Sequence, residues 1–164
     1  MIMKRKLFVL AALIFSMTLS VQAQTVSEGQ DAPEFTLPTL DGSTLKLSDL
    51  RGKYVVLDFW GSWCVNCIKG FPEMAEYYGK YKDKMEILGV DCNDTEARWK
   101  AAVEKHNCPW KHVRQARGEG DQVTTMYGVK AFPTKVIINP EGKIAKIVIG
   151  EDPTFYTILD ELLK

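Results

Sequence analysis

The sequence predicts an α/β sandwich, a mixed β-sheet flanked by helices. Three observations carry this. Strand-like and helix-like patterns alternate between residues 54 and 129. A two-strand pattern and a helix pattern then close the chain. Of the 164 residues, 46% are hydrophobic, enough for one domain with a real core.

The first residues stand apart from that domain. "MIMKRK" is basic, "LFVLAALIFSMTL" is apolar, and "SVQA" puts small residues at Val21 and Ala23. This is the pattern of a secretory signal peptide. The apolar run is short for a bilayer span; an N-terminal membrane anchor is the alternative. No cysteine stands near the cleavage point to carry a lipid. Residues 1–23 are read as a signal peptide and 24–164 as the mature domain, soluble in the periplasm. Cleavage would leave 18 basic residues against 21 acidic ones. The full chain has 21 of each, so neither form has the basic excess of a nucleic-acid binder.

Residues 24–34 are a polar lead-in. "FTLPTLDGSTLKLSDLRGK" alternates apolar and polar residues around Asp41-Gly42, which predicts a β-hairpin. "YVVLDFW" (54–60) is a continuous apolar run, the mark of a central strand, flawed only by Asp58. Helical spacing follows, with Phe71, Met74, Ala75 and Tyr78 on one side and a kink expected at Pro72. "MEILGVDC" (85–92) is a second strand. The next helix is expected to start on a capping box of Asn93 and Glu96. "PWKHV" is a short strand, "RQARGEGDQ" a polar loop, and "QVTTMYGV" a short helix ending near Gly128. "TKVIINPEGKIAKIVIG" is two strands joined at Pro140-Glu141-Gly142. In the last helix Asp152 is the expected cap and Pro153 the first position.

"FWGSWCVNC" holds the chemistry. Two cysteines spaced this way can clamp a metal, staple a small fold or exchange electrons. A chain of this size needs no staple, and a zinc site wants a second close pair, which Cys92 and Cys108 do not make. No metal and no cofactor are expected. Strand, Cys-x-x-Cys and helix in sequence put Cys64 at a helix N-terminus, where free N–H groups and the helix dipole favour a thiolate. The dipole lowers the Cys64 pKa by about one unit, from ~8.5 toward 7. Cys67 comes round on the first turn and can resolve a mixed disulfide formed at Cys64. It needs a proton acceptor, and Asp58 is the candidate, since a carboxyl buried in a core strand is costly without a use. The plainer reading has Asp58 facing a loop and bonding backbone. Cys92 and Cys108 should lie at opposite ends of a crossover helix about 18 Å long, too far apart for a disulfide. His106 and His112 are read as surface residues.

Residues 54–72 resemble the thioredoxin superfamily. "VLDFWGSWCVNC" matches its active-site strand and turn, with Trp63 before the first cysteine, Asp58 six residues ahead of it and Pro72 eight after it. "GQDAPEFTLPTLDGSTLKLSDLRGKYVVLDFW" and "YGVKAFPTKVIINPEGKI" narrow the resemblance to exported TlpA/ResA-type thiol–disulfide oxidoreductases, over nearly all of 28–164. That resemblance implies a thioredoxin-like fold with an N-terminal β-hairpin and a βα insertion. It implies that Pro133 is a cis-proline facing Cys64 and Cys67, that Phe132, Pro133, Thr134 and Trp63 contact substrate, and that Cys64 and Cys67 form the redox-active disulfide. It also implies that Trp60 and Trp63 wall the site, with core filling as the plainer role, for Trp60 more than for Trp63. The implied partners are disulfide-containing proteins and a membrane protein that donates electrons from its own thiols.

Three positions depart from the pattern. Asn66 replaces the proline common before the second cysteine; its N–H and amide would stabilise the Cys64 thiolate and make the potential less reducing than thioredoxin's. Gly70 stands where relatives often carry Glu. Asp58 stands where they often carry Asn, and would take over the handling of protons. The lead-in also resembles peroxiredoxins, but "FWGSWC" lacks the threonine and proline they keep ahead of their cysteine. An oxidase or isomerase, a thiol peroxidase and a redox-inert thioredoxin-fold binding module are the alternatives.

Overall fold

The computed structural model describes residues 26–116 and 122–164. The signal-peptide pattern, and part of the polar loop after residue 113, lie outside the described residues.

The expected hairpin forms from β1 (Thr36–Pro38) and β2 (Thr44–Lys46), paired antiparallel across Asp41-Gly42. A single 3-10 turn, Leu47–Leu50, then leads to the main sheet. The apolar run becomes β3 (Tyr54–Trp60), followed by α1 (Val65–Tyr81), β4 (Met85–Cys92), α2 (Glu96–Lys105) and β5 (Lys111–Gln115). Then come α3 (Gln122–Met126), β6 (Thr134–Ile138), β7 (Ile144–Ile149) and α4 (Thr154–Leu163). The five main strands lie in the order β5-β4-β3-β6-β7. β3, β4 and β5 run parallel, while β6 and β7 are antiparallel to their neighbours. This is the mixed sheet of a thioredoxin-like fold, with α2 and β5 as the βα insertion.

β3 is central and its two faces differ because side chains alternate along a strand. Val56 and Trp60 point to the face covered by α1, α2 and α4, where Phe71, Met74, Trp99, Phe155 and Leu159 are buried. Val55, Leu57 and Phe59 point to the other face, against Phe35, Leu47, Val123 and Tyr127. Each such side chain stabilises the fold by about 1.5–3 kcal/mol when fully buried. Asp58, between Val56 and Trp60, therefore falls on the α1 face, in a position worth that much to an apolar residue.

Some local expectations change. α2 is capped by Thr95, whose hydroxyl accepts from the Arg98 N–H at 3.3 Å, and not by an Asn93–Glu96 box. Asn93 is turned to φ 69° in the left-handed region, so the chain is still reversing there. Pro153 takes the cap position of α4 rather than the first helical one, and Asp152 still accepts from the Thr154 N–H at 2.9 Å. His112 is not on the surface. It is 3% exposed, because it alternates inward on β5 and its ring packs against Trp60 and Trp110. Burial pulls its pKa down to about 4, against a backbone contact from Cys108.

Candidate active site

Cys64 and Cys67 are joined by a disulfide, with Cα atoms 5.3 Å apart. Cys64 is the N-cap of α1, and its sulfur accepts the Cys67 N–H at 3.2 Å. The sulfur thus sits on the orphan donors of a helix start, where negative charge is favoured. Cys64 is 6% exposed and Cys67 2%, so the second cysteine is the deeper one. Among the described residues, Trp63, Val65 and Ile149 are the large hydrophobic side chains left exposed. Trp63 and Val65 flank Cys64 in sequence. Ile149 pairs with Thr134, one residue from Pro133. Trp63 and Val65 therefore put apolar surface beside Cys64.

The Phe132-Pro133 peptide bond is cis. The Phe132 ring meets the Trp63 ring edge-on, with centroids 5.0 Å apart, so the proline loop and the cysteine loop are in contact. Pro133 O accepts the Gly150 N–H at 2.8 Å, and the Thr134 hydroxyl donates to Ala131 O at 2.7 Å. Trp60 is fully buried and fills the core. Asn66 is exposed on α1. Cys92 and Cys108 remain thiols, at the end of β4 and ahead of β5. Cys92 is buried, its S–H directed at Val90 O, and burial pushes the Cys108 thiol up to about 12, with Asp58's charge adding to it.

Asp58 is buried, 1% exposed. Its direct cross-strand partner is Lys135 on β6. The two form an ion pair at 3.8 Å between Nζ and Oδ1, longer than a hydrogen bond. Lys135 Nζ also contacts Glu151 at 2.8 Å, in the loop after β7. Burial raises the Asp58 pKa to about 6; the Lys135 charge opposes that and the Glu151 charge adds to it. A carboxyl of that strength is mostly ionised at neutral pH and still basic enough to take a proton.

A second acidic pair lies beside the cysteine loop. Asp94 accepts the Ser62 N–H at 2.6 Å and the Ser62 hydroxyl at 2.7 Å. Trp63 Nε1 donates to Cys92 O at 3.0 Å. The end of β4 thus grips the loop that leads to Cys64. Behind it Asp91 is fully buried; desolvation, then a hydrogen bond and repulsion from Asp94, raise its pKa to about 9. Burial pushes Asp94 up as well, but the bonds from Asp91 and Ser62 and the charge of Arg98 outweigh it, and its pKa is lowered.

Lys135, Glu151, Asp91 and Asp94 went unread in the sequence. One signal was available. Asp58 and Lys135 are opposite charges, each set in an apolar strand, and antiparallel pairing of those strands can bring them face to face.

A family model described as AhpC/TSA matches residues 28–147. The chain is 38% identical over 124 residues to the thiol-disulfide oxidoreductase ResA of Bacillus thuringiensis (strain Al Hakam), covering 75% of this chain and 70% of that protein. It is 38% identical over 128 residues to ResA of Bacillus subtilis (strain 168), covering 77% and 70%. The thioredoxin domain of a thiol-disulfide oxidoreductase from Bacteroides vulgatus superposes with a TM-score of 0.77 at 31% identity, over 85% of this chain and 100% of that one. A thiol:disulfide interchange protein DsbE from Chlorobium tepidum gives 0.74 at 30%, over 84% and 95%.

Proposed function

Since the chain belongs to the AhpC/TSA family, and within it to the ResA-type thiol-disulfide oxidoreductases, we propose that it is exported and reduces disulfides of other envelope proteins through Cys64 and Cys67. The observation that carries this is the Cys64 sulfur on the N-terminus of α1, beside a cis-proline loop and the exposed apolar side chains of Trp63 and Val65.

In the reduced protein, the Cys64 thiolate attacks one sulfur of a target disulfide. The target S–S bond breaks, one target thiolate leaves, and a mixed disulfide forms. Cys67 passes its proton to Asp58, and its thiolate attacks the Cys64 sulfur. The second target thiolate leaves and the Cys64–Cys67 disulfide is restored. Two electrons pass to the target, whose two thiolates take up two protons. Asp58 returns the Cys67 proton to water. Trp63 and Phe132 form the surface against which the target chain lies; Pro133 and Thr134, also expected there, are buried.

Export is supported by the basic, apolar and small-residue order of residues 1–23. Among the described residues no helix is long and apolar enough to cross a membrane. A reductase in an oxidising compartment must be recharged, and a membrane protein with a thiol pair is the proposed donor. Asn66 supports a potential above thioredoxin's, which is about −270 mV.

Insulin reduction with dithiothreitol tests the activity. The protein should accelerate precipitation over the reagent alone, and Cys64→Ser should abolish the acceleration. Turnover that survives Cys64→Ser overturns the reading. Equilibration against glutathione mixtures tests the direction; a potential below thioredoxin's removes the role given to Asn66.

A further inference from the structure

α1 packs Gly70 against the loop that follows β7. A Cβ built on Gly70 would lie 2.5 Å from Glu151 Oε2 and 2.8 Å from its Cδ and Oε1. The Glu151 carboxylate therefore occupies the place that a side chain at Gly70 would claim. Glu151 is 30% exposed at its side chain, whereas Lys135 and Asp58 are at 2% and 1%. It is the one member of the chain Asp58–Lys135–Glu151 that water reaches.

The distances rank the ammonium's partners. Lys135 Nζ is 2.8 Å from Glu151 and 3.8 Å from Asp58, with the Phe155 ring centroid at 5.5 Å. The cation belongs first to Glu151. Without Glu151, the buried ammonium would be left with Asp58 and would close on it. An opposite charge in contact lowers a carboxyl pKa by about 1–3 units, which would leave Asp58 too weak a base for a thiol proton.

We propose that Glu151 is a positioning residue for the disulfide exchange: seated in the space left by Gly70, it holds the Lys135 ammonium away from Asp58 and keeps Asp58 a usable proton acceptor. This rests on the reading of Asp58 as the acceptor for Cys67. The groups that face Asp58 are Lys135 from β6, Glu151 from the loop after β7, Tyr156 from α4 and Cys108 from the turn before β5. Tyr156 and Cys108 are both held neutral, chiefly by burial, so Lys135 and Glu151 are the charges that can be altered to move Asp58.

The experiment follows the Asp58 carboxyl carbon by NMR titration in the oxidised full chain, alongside the pH dependence of mixed-disulfide resolution. Glu151→Gln should lower the Asp58 midpoint by about one unit. Gly70→Ala should lower it too, with every charge still present, because the new methyl evicts the Glu151 carboxylate; alanine also suits the helix better than glycine, so folding is not at risk. Lys135→Met should raise the midpoint. A general loss of packing would not send Glu151→Gln and Lys135→Met in opposite directions. Midpoints in Glu151→Gln and Gly70→Ala that stay at the parent value, or rise, overturn the proposal. Midpoints that shift as stated while the rate profile stays fixed uphold the hold of Glu151 on Asp58 and overturn the part of Asp58 in the exchange, so the two failures are told apart.

Discussion

Asp58 on β3 and Asp91 on β4 are both buried on the α1 face of the sheet, and both keep a proton to higher pH than a free carboxyl. Their neighbours differ. Asp58 has a cation at 3.8 Å, itself pulled toward a second, partly exposed acid. Asp91 also faces a cation, its cross-strand partner Arg114, but burial and a second buried acid, Asp94, whose oxygens are committed to Ser62, outweigh it. A carboxyl balanced by an opposite charge stays titratable near neutral pH and can serve proton traffic. A carboxyl beside a like neighbour keeps its proton across the physiological range, and the pair works as a mechanical clamp on the cysteine loop.

The largest effect that separates the two sites should be on rate. Asp58→Asn should slow mixed-disulfide resolution about 100-fold at a pH near 8, with little change in Tm, as read by stopped-flow mixing and thermal melts. An unchanged rate would erase the distinction. Asp94→Ala should do the reverse. It strands a backbone N–H and a hydroxyl of Ser62, costs about 3 kcal/mol and lowers Tm by roughly 10 °C, while activity at room temperature persists. A third effect is the pH slope of Asp91. The native state keeps that proton to about pH 9, and the unfolded chain releases it near 3.8. Between those values the native state binds more protons, so stability falls as pH rises. Asp91→Asn cannot titrate and should flatten that slope, so its gain in Tm over the parent should grow steadily across a series from pH 5 to pH 9. Asp58 adds a slope of the same sign, confined to the window from 3.8 to about 6.

What the sequence disclosed follows the range of the interactions. β3, the helix after Cys64 and the hairpin around Asp41-Gly42 are set by neighbours a few residues away, and they stand where the pattern puts them. The cysteine pair carries a local motif and was readable as well, while the cis bond before Pro133 was implied by the family resemblance. His112 was misread because its surroundings, Trp60 and Trp110, come together only when β5 joins the sheet. Lys135 and Glu151 were missed for a related reason. Their meaning depends on the register of β6 against β3 and on where the loop after β7 falls. Asp91 and Asp94 carry no local signal, because their part depends on Ser62, 32 residues before Asp94.

Gly70 has a practical consequence for anyone who wants a hardier form of the enzyme. α1 carries two interior glycines, and replacing a helical glycine by alanine gains up to about 1 kcal/mol. Gly79 has open space around it, and the exchange there should come free. At Gly70 the same thermostabilising step would fill a socket already tenanted by a carboxylate, trading catalytic tuning for heat tolerance.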